Sequence, residues 1–385
     1  MNLFSMRKCL TLFLIPFCLT AFSQDIQEYI SKNAKEIDAA AKGFKGFNFL
    51  DTVLKNKRIV LLGESSHGTE EYSKTKLQLI EYLHHRLGFN VILFESPMTP
   101  GTYLNLSMDT IAADSLIRYA IQSIWHTNTV LQLFNFIKEN KLYFGGFDPQ
   151  FISSPYSNRL FSYAFSNYPG IKKELMQLEN RIDQVFKQGI YTKLKDSISF
   201  AYSRLATKME QQHLSPLQKW IEHMVTINIH YYANLYKGNQ RDSCMADNLV
   251  WLAEKIYPSE KIIVWAHNSH IDKNASSSSK FMGKILSEYF GTQLYAVGLY
   301  MVNGSTALNN RDIIQVKEPA KNSLESLLSN RGFKTAFIET NDQSFDKKVK
   351  TFHWGKDVQK LNLARSYDAV ILINGVSPPA YLKSK

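Results

Sequence analysis

Short apolar runs recur along this chain, separated by longer stretches with helical periodicity. The clearest are Arg58–Leu62 (RIVLL), Val91–Phe94 (VILF), Tyr143–Phe147 (YFGGF), Ile262–Ala266 (IIVWA), Leu294–Leu299 (LYAVGL), Thr335–Ile338 (TAFI) and Ala369–Ile373 (AVILI). A strand with one wet face alternates apolar and polar residues. These runs are continuous instead, as expected of strands covered on both faces in a parallel sheet. With helical stretches between them, they predict an α/β fold with a mainly parallel central sheet flanked by helices.

The first crossover is well marked. Glu70 and Glu71 open it, where the helix dipole favours anions. Leu77, Ile80, Leu83 and Leu87 recur at helical spacing and are expected to face the core. His84, His85 and Arg86 fill the last turn and Gly88 stops it, so this histidine pair reads as a basic helix end. From about 155 to 240 the β-rich runs cease. This segment predicts a helical insertion forming one side of a cleft at the mouth of the sheet, with Ser215-Pro216 starting a helix that runs through Tyr236. The polar stretch Asp272–Lys280 predicts a mobile loop.

Of the 385 residues, 44% are hydrophobic and 21% charged, enough apolar surface for a folded chain rather than a disordered one. Residues 1–23 combine basic Arg7 and Lys8, an apolar stretch Cys9–Phe22, and Ala21 and Ser23 at a small-residue cleavage site. That pattern predicts a signal peptide cut after Ser23, hence a periplasmic or secreted protein; a lipid anchor on Cys18 or an uncleaved anchor are the alternatives. No later segment has the length of a membrane span. Cleavage would lower the net charge from +11 to +9 and leave Cys244 as the sole cysteine, so no internal disulfide could form. The basic residues are dispersed, without a run of five, which argues against nucleic acid as partner.

Two polar segments carry the candidate chemistry. Gly63-Glu64-Ser65-Ser66-His67-Gly68-Thr69 follows one apolar run, and Ala266-His267-Asn268-Ser269-His270 follows another. Glu95 closes a third. Ligands of open α/β sheets bind at the carboxyl ends of the strands, so these groups should converge. Gly63 to Gly68 is not a nucleophile elbow, and no HExxH helix, Cys knuckle or phosphate loop occurs. Cys244 reads as a buried structural thiol. Two mechanisms fit the residue types. His67 could activate water, oriented by Glu64 or Glu95, with His267 or His270 as electrophile or acid. Alternatively Glu64, His67, His267 and His270 could ligate a divalent metal. A structural role in capping helices and pinning loops is the third reading.

The blocks GESSHGTEE (63–71), FESP (94–97), GFDPQ (146–150), RDSCMADNLVWL (241–252) and WAHNSHI (265–271) resemble the erythromycin esterase family, in the family's order and across most of the chain. The resemblance implies hydrolysis of a carboxylic ester, in the best-known members a macrolactone, with a histidine base and no required metal or cofactor. It assigns Glu64 and His67 to the family's first Glu-x-x-His pair, Glu95 to the glutamate ending the second strand, and His267 and His270 to the His-x-x-His pair. It implies a small-molecule ester or lactone as partner, and one catalytic unit over residues 24–385. Lys76 stands where the family often has arginine, and Trp125-His126-Thr127-Asn128-Thr129 lacks the family's glutamate. Lys76, Trp125, His126 and Asp148 are the candidate substrate contacts, with an exposed helix-start role preferred for His126 and a structural or supporting one for Asp148, Arg241 and Asp242. Macrolide resistance does not follow, since the pocket residues lie in the least matched region. A metal-dependent hydrolase, tested by metal analysis, and a non-catalytic haem-type envelope protein, tested by a Soret band, are the competing classes.

Overall fold

The computed structural model describes residues 26–37, 42–235, 240–274, 281–329 and 332–383. The signal-peptide expectation for residues 1–23, most of the serine-rich stretch, and Tyr236 lie outside them.

All seven apolar runs are strands of one eight-stranded sheet. Its members are β1 (Lys35–Glu36), β2 (Ile59–Leu62), β3 (Phe89–Pro97), β4 (Tyr143–Asp148), β5 (Lys261–Trp265), β6 (Leu294–Met301), β9 (Thr335–Glu339) and β12 (Ala369–Ile373). Two small hairpins complete the set, β7 (Ser305–Ala307) with β8 (Ile313–Gln315), and β10 (Lys348–His353) with β11 (Asp357–Asn362). The sheet order is β1-β9-β12-β6-β2-β5-β3-β4, parallel from β12 through β4, with β9 and β1 each antiparallel to its neighbour. Alternation along each strand divides two apolar cores. Ile59 and Leu61, Ile262 and Val264 face one; Val60 and Leu62, Ile263 and Trp265 face the other. Both faces are dry, which is why these strands read as continuous runs.

Helix α1 (Glu70–Leu87) connects β2 to β3 and ends at Gly88, whose φ of +72° is the left-handed geometry that glycine adopts without strain. Ile80 and Leu83 fill the core as expected, and Leu77 and Leu87, partly buried, pack against it. The buried face also takes in Leu79 and the fully buried Lys76, a charged residue for which the site supplies a partner.

The insertion is helical as expected, comprising α2 (Pro155–Ala164), α3 (Pro169–Lys187), α4 (Tyr191–Glu210) and α5 (Pro216–Ala233). Ser215 caps α5 reciprocally. Its hydroxyl accepts from Gln218 N–H (3.4 Å), and its own N–H donates to Gln218 Oε1 (2.8 Å). The insertion leaves the sheet after Asp148 and returns through helix α6 (Gln240–Trp251), which carries Arg241. Cys244 is buried on α6, and burial pushes its thiol up to about 11, so it is inert at neutral pH. Among the described residues no helix is long and apolar enough to cross a membrane.

Candidate active site

Four neighbouring parallel strands, β2, β5, β3 and β4, end side by side and deliver Glu64, His267, Glu95 and Asp148 in that spatial order. The loops after β2 and β5 are locked together. Asn268 N–H donates to Glu64 O (2.8 Å), and the Asn268 side chain continues the ladder of β6 by bonding both N–H and C=O of Leu299. This contact requires Gly63, because a Cβ there would stand 2.1 Å from Asn268 Oδ1.

Glu64 is fully buried and saturated with donors. Its Oε1 meets His67 Nδ1 (2.7 Å) and accepts from Trp125 Nε1–H (2.9 Å), while Oε2 accepts from the Lys76 ammonium (2.6 Å). Burial alone would raise this carboxyl, but Lys76 and His67 outweigh it and hold it below the usual range. With Nδ1–H donating to Glu64, the neutral His67 ring carries its lone pair on Nε2.

His267 has the opposite tautomer. Its Nδ1 accepts from the Ser269 backbone N–H (3.2 Å) and sits 2.8 Å from Ser269 Oγ, which places its proton on Nε2. That Nε2 is buried and has no hydrogen-bond partner among the described residues. Burial, with His67 and His270 close by, pushes the ring well below the ordinary histidine value, so it is neutral. The two imidazoles lie 5.2 Å apart between centroids.

Glu95 and Arg241 organise the other half. Glu95 Oε1 accepts from Arg241 Nη2–H (2.8 Å) and lies 3.2 Å from His270 Nε2, and Oε2 accepts from the His267 backbone N–H (2.9 Å). Arg241 also grips Asp148 through Nε (3.1 Å) and Nη2 (2.6 Å). His270 donates from Nδ1 to Asp242 Oδ1 (2.8 Å). Burial opposes a charge on His270, but Glu95 and Asp242 raise it to about 10, so it is an imidazolium with both nitrogens donating. Glu95 itself would be raised by burial; His270, His67 and Arg241 instead hold it well below the carboxylate range.

These groups surround a cavity of about 450 Å³, lined by His67, Trp125, Arg241, His267, His270 and Trp354 among others. The last comes from the turn of the β10–β11 hairpin. Trp354 has a left-handed φ of +56°, donates its backbone N–H to Ser65 O (3.0 Å), and stacks on His267 at 5.0 Å.

Residues 84–376 match the family model described as Erythromycin esterase. The chain belongs to the erythromycin esterase family. It is 28% identical to YbfO of Bacillus subtilis (strain 168) over 98% of this chain and 99% of that protein. It is 22% identical to erythromycin esterase type II of Escherichia coli, over 77% of this chain and 83% of that protein. Among solved structures, an erythromycin esterase mutant in its open conformation superposes with a TM-score of 0.69 at 16% identity, covering 91% of this chain and all of that one. That likeness shows the fold. Within the esterase-family match lie Glu95, Asp148, Arg241, His267 and His270; Glu64 and His67 precede it.

The structure brings Glu64, His67, Glu95, His267 and His270 together and corrects the expected substrate contacts. Lys76 is wholly enclosed behind Glu64, its ammonium 4.2 Å over the Trp265 ring, so it supports the carboxylate and does not line the cavity. Asp148 is buried and occupied by Arg241. His126 bonds Ile121 O through Nε2 (3.1 Å), pinning its own loop. Only Trp125 of the four lines the cavity. His353 and Trp354 were absent from the expected set. Their one local signal was a Trp-Gly turn between the alternating stretches KVKTFH and DVQKLN.

The His270 charge makes a pH prediction. Its folded value of about 10 lies above the ordinary 6.5, so its contribution to stability is complete below pH 6.5 and lost as pH rises toward 10. Lys76 runs the other way. Burial pushes it from 10.5 to about 8 despite Glu64, so its contribution grows between those values. Urea midpoints of the wild type and His270→Asn between pH 6.5 and 10 separate the two. The wild-type advantage over the variant is expected to shrink as pH rises, and a constant difference would show that His270 is not held charged.

Proposed function

We propose that this protein is a hydrolase of carboxylic esters, macrolactones included, in which His67 activates water without a metal. The carrying observation is the pair of opposite tautomers. His67 presents a lone pair on Nε2, and His267, 5.2 Å away, presents an unpartnered N–H on Nε2. His67 Nε2 removes a proton from water while the hydroxyl oxygen bonds to the acyl carbon. His267 Nε2–H donates to the carbonyl oxygen as it becomes an oxyanion, and Glu64 stabilises the imidazolium that forms. Collapse of the intermediate breaks the acyl C–O bond, and the proton held by His67 passes to the leaving alkoxide. The products are one acid and one alcohol, a net gain of one water.

The donor set supports this reading over metal ligation. Both His270 nitrogens are engaged, Nδ1 with Asp242 and Nε2 with Glu95, and the Glu64 oxygens are taken by Lys76, His67 and Trp125. Among the described residues no three His, Cys, Asp or Glu side chains are grouped to hold a metal ion. We also propose that residues 1–23 are a signal peptide and that residues 24–385 act outside the cytoplasm; the basic start and Ala21/Ser23 site support this.

The test is mass-spectrometric turnover by the purified mature chain, metal-stripped and metal-supplied, on a panel of esters and macrolactones including erythromycin. Conversion of an open-chain ester to its acid and alcohol, or of a lactone to a hydroxy acid 18 Da heavier, indifferent to metal, is the expected result. Turnover only after metal is restored would transfer the chemistry to a metal-bound hydroxide.

A further inference from the structure

The cavity walls carry a chemistry that the hydrolytic step leaves unused. Gln122, Ser123, Gln150 and Asn309 line the cavity, and their side chains make no hydrogen bond to any described residue. Each is neutral, and each both donates and accepts. Among the described residues Ile124 is the one aliphatic side chain of the lining. Small-molecule sites are ordinarily lined mostly by apolar groups, so this composition is informative. Gln122 and Gln150 are half-buried, and Ser123 and Asn309 stand at the exposed rim. A hydrocarbon-rich alcohol would strip water from the two half-buried amides, leave them unpaired and gain nothing from the rim, which opposes its binding.

Charge narrows the ligand further. Arg241 is matched by Asp148 and Glu95, His270 by Glu95 and Asp242, and Lys76 by Glu64. Among the described residues no surplus positive charge on the floor awaits an anionic substrate. The favoured ligand is neutral, dense in hydroxyls, and has a face of C–H groups to lie against the partly exposed Trp354.

Resting on the hydrolytic reading, we propose that the substrate is an O-acylated sugar, its hydroxyls held by Gln122, Ser123, Gln150 and Asn309. Water adds to the acyl carbon, the acyl C–O bond breaks, and the sugar regains its hydroxyl while the acyl group leaves as a carboxylic acid.

The mature chain is to be assayed on 6-O-acetylglucose, on hexyl acetate, and on p-nitrophenyl acetate as a generic activated ester. The expected kcat/KM for the sugar ester exceeds that for hexyl acetate by about tenfold or more, because a site built for hydroxyls rejects a partner without them. Gln150→Ala with Asn309→Ala, and Ser123→Ala separately, should reduce that ratio. Equal or greater activity on hexyl acetate, or a ratio the variants leave intact, would overturn the proposal. If p-nitrophenyl acetate and both other esters are untouched, the hydrolytic reading itself has failed. Tryptophan fluorescence then decides the ligand class. Saturable quenching by methyl glucoside upholds a sugar site, and its absence removes it.

Discussion

Replacing His67 with alanine is expected to lower kcat by about two or more orders of magnitude, the usual loss when a general base is removed. The melting temperature should scarcely change. His67 is partly exposed to the cavity, and its deletion leaves Glu64 with two of its three side-chain donors, the Lys76 ammonium and the Trp125 indole N–H. That separation of effects is the diagnostic feature. A structural histidine whose loss left a buried carboxylate unpaired would lower stability and activity together. Added imidazole offers a second readout, since it can enter the space vacated by the ring and accept the proton of water. Full activity in His67→Ala would sink the assignment, whatever the stability. Loss of folding without a separable loss of turnover would return His67 to a pinning role. His67→Gln gives the complementary case, because it keeps a polar group beside Glu64 and has no basic nitrogen.

The groups that meet in the cavity differ in how readily their sequence context announced them. Glu64, Glu95 and His267 were legible because each follows a continuous apolar run. A polar residue at the end of a buried strand has few places to go except the carboxyl edge of the sheet. The seven strands were legible for the related reason that both sheet faces are dry. Lys76 was expected at the substrate because it stands where the family often has arginine; its own helix gives no sign of burial, since charged residues ordinarily take the wet face. The buried partner that reverses the preference, Glu64, belongs to a different element. Asp148 offered both a substrate-facing and a structural reading. It does sit at a strand end, but Arg241, 93 residues further on, occupies both its oxygens. Trp354 and His353 were missed because the β10–β11 hairpin is short and lies outside the main sheet. What carries it to the site is one backbone bond to Ser65, together with ring contacts to His67 and His267. Tautomers were outside sequence reasoning altogether, since they depend on which nitrogen meets a donor and which an acceptor.

Lys76→Met is expected to weaken the fold and to move the acid side of the pH–activity profile. Both consequences follow from the Glu64 carboxylate. The pair is buried, with the ammonium at 2.6 Å, and removing one member of such a pair costs roughly 3–5 kcal/mol because the other charge stays buried without its partner. The melting temperature should fall by several degrees. The kinetic effect has a definite sign. In the wild type the ammonium offsets the Glu64 charge that His67 Nδ1 faces. Without the ammonium, Glu64 recovers a counter-charge by favouring the imidazolium form of His67, which is no longer a base. The acid limb of kcat/KM should therefore shift to higher pH, by roughly one unit or more for the loss of an adjacent charge. Activity lost at pH 7 should return as the medium is made alkaline. Lys76→Arg keeps the charge and should hold the limb near its wild-type place, with a stability loss from fitting a larger planar head into a closed space. Glu64→Gln combined with Lys76→Met removes both charges and should recover much of the stability without recovering activity, since His67 then has no carboxylate to stabilise its protonated form. If the acid limb stays in place in Lys76→Met while only the melting temperature falls, the lysine serves the fold alone.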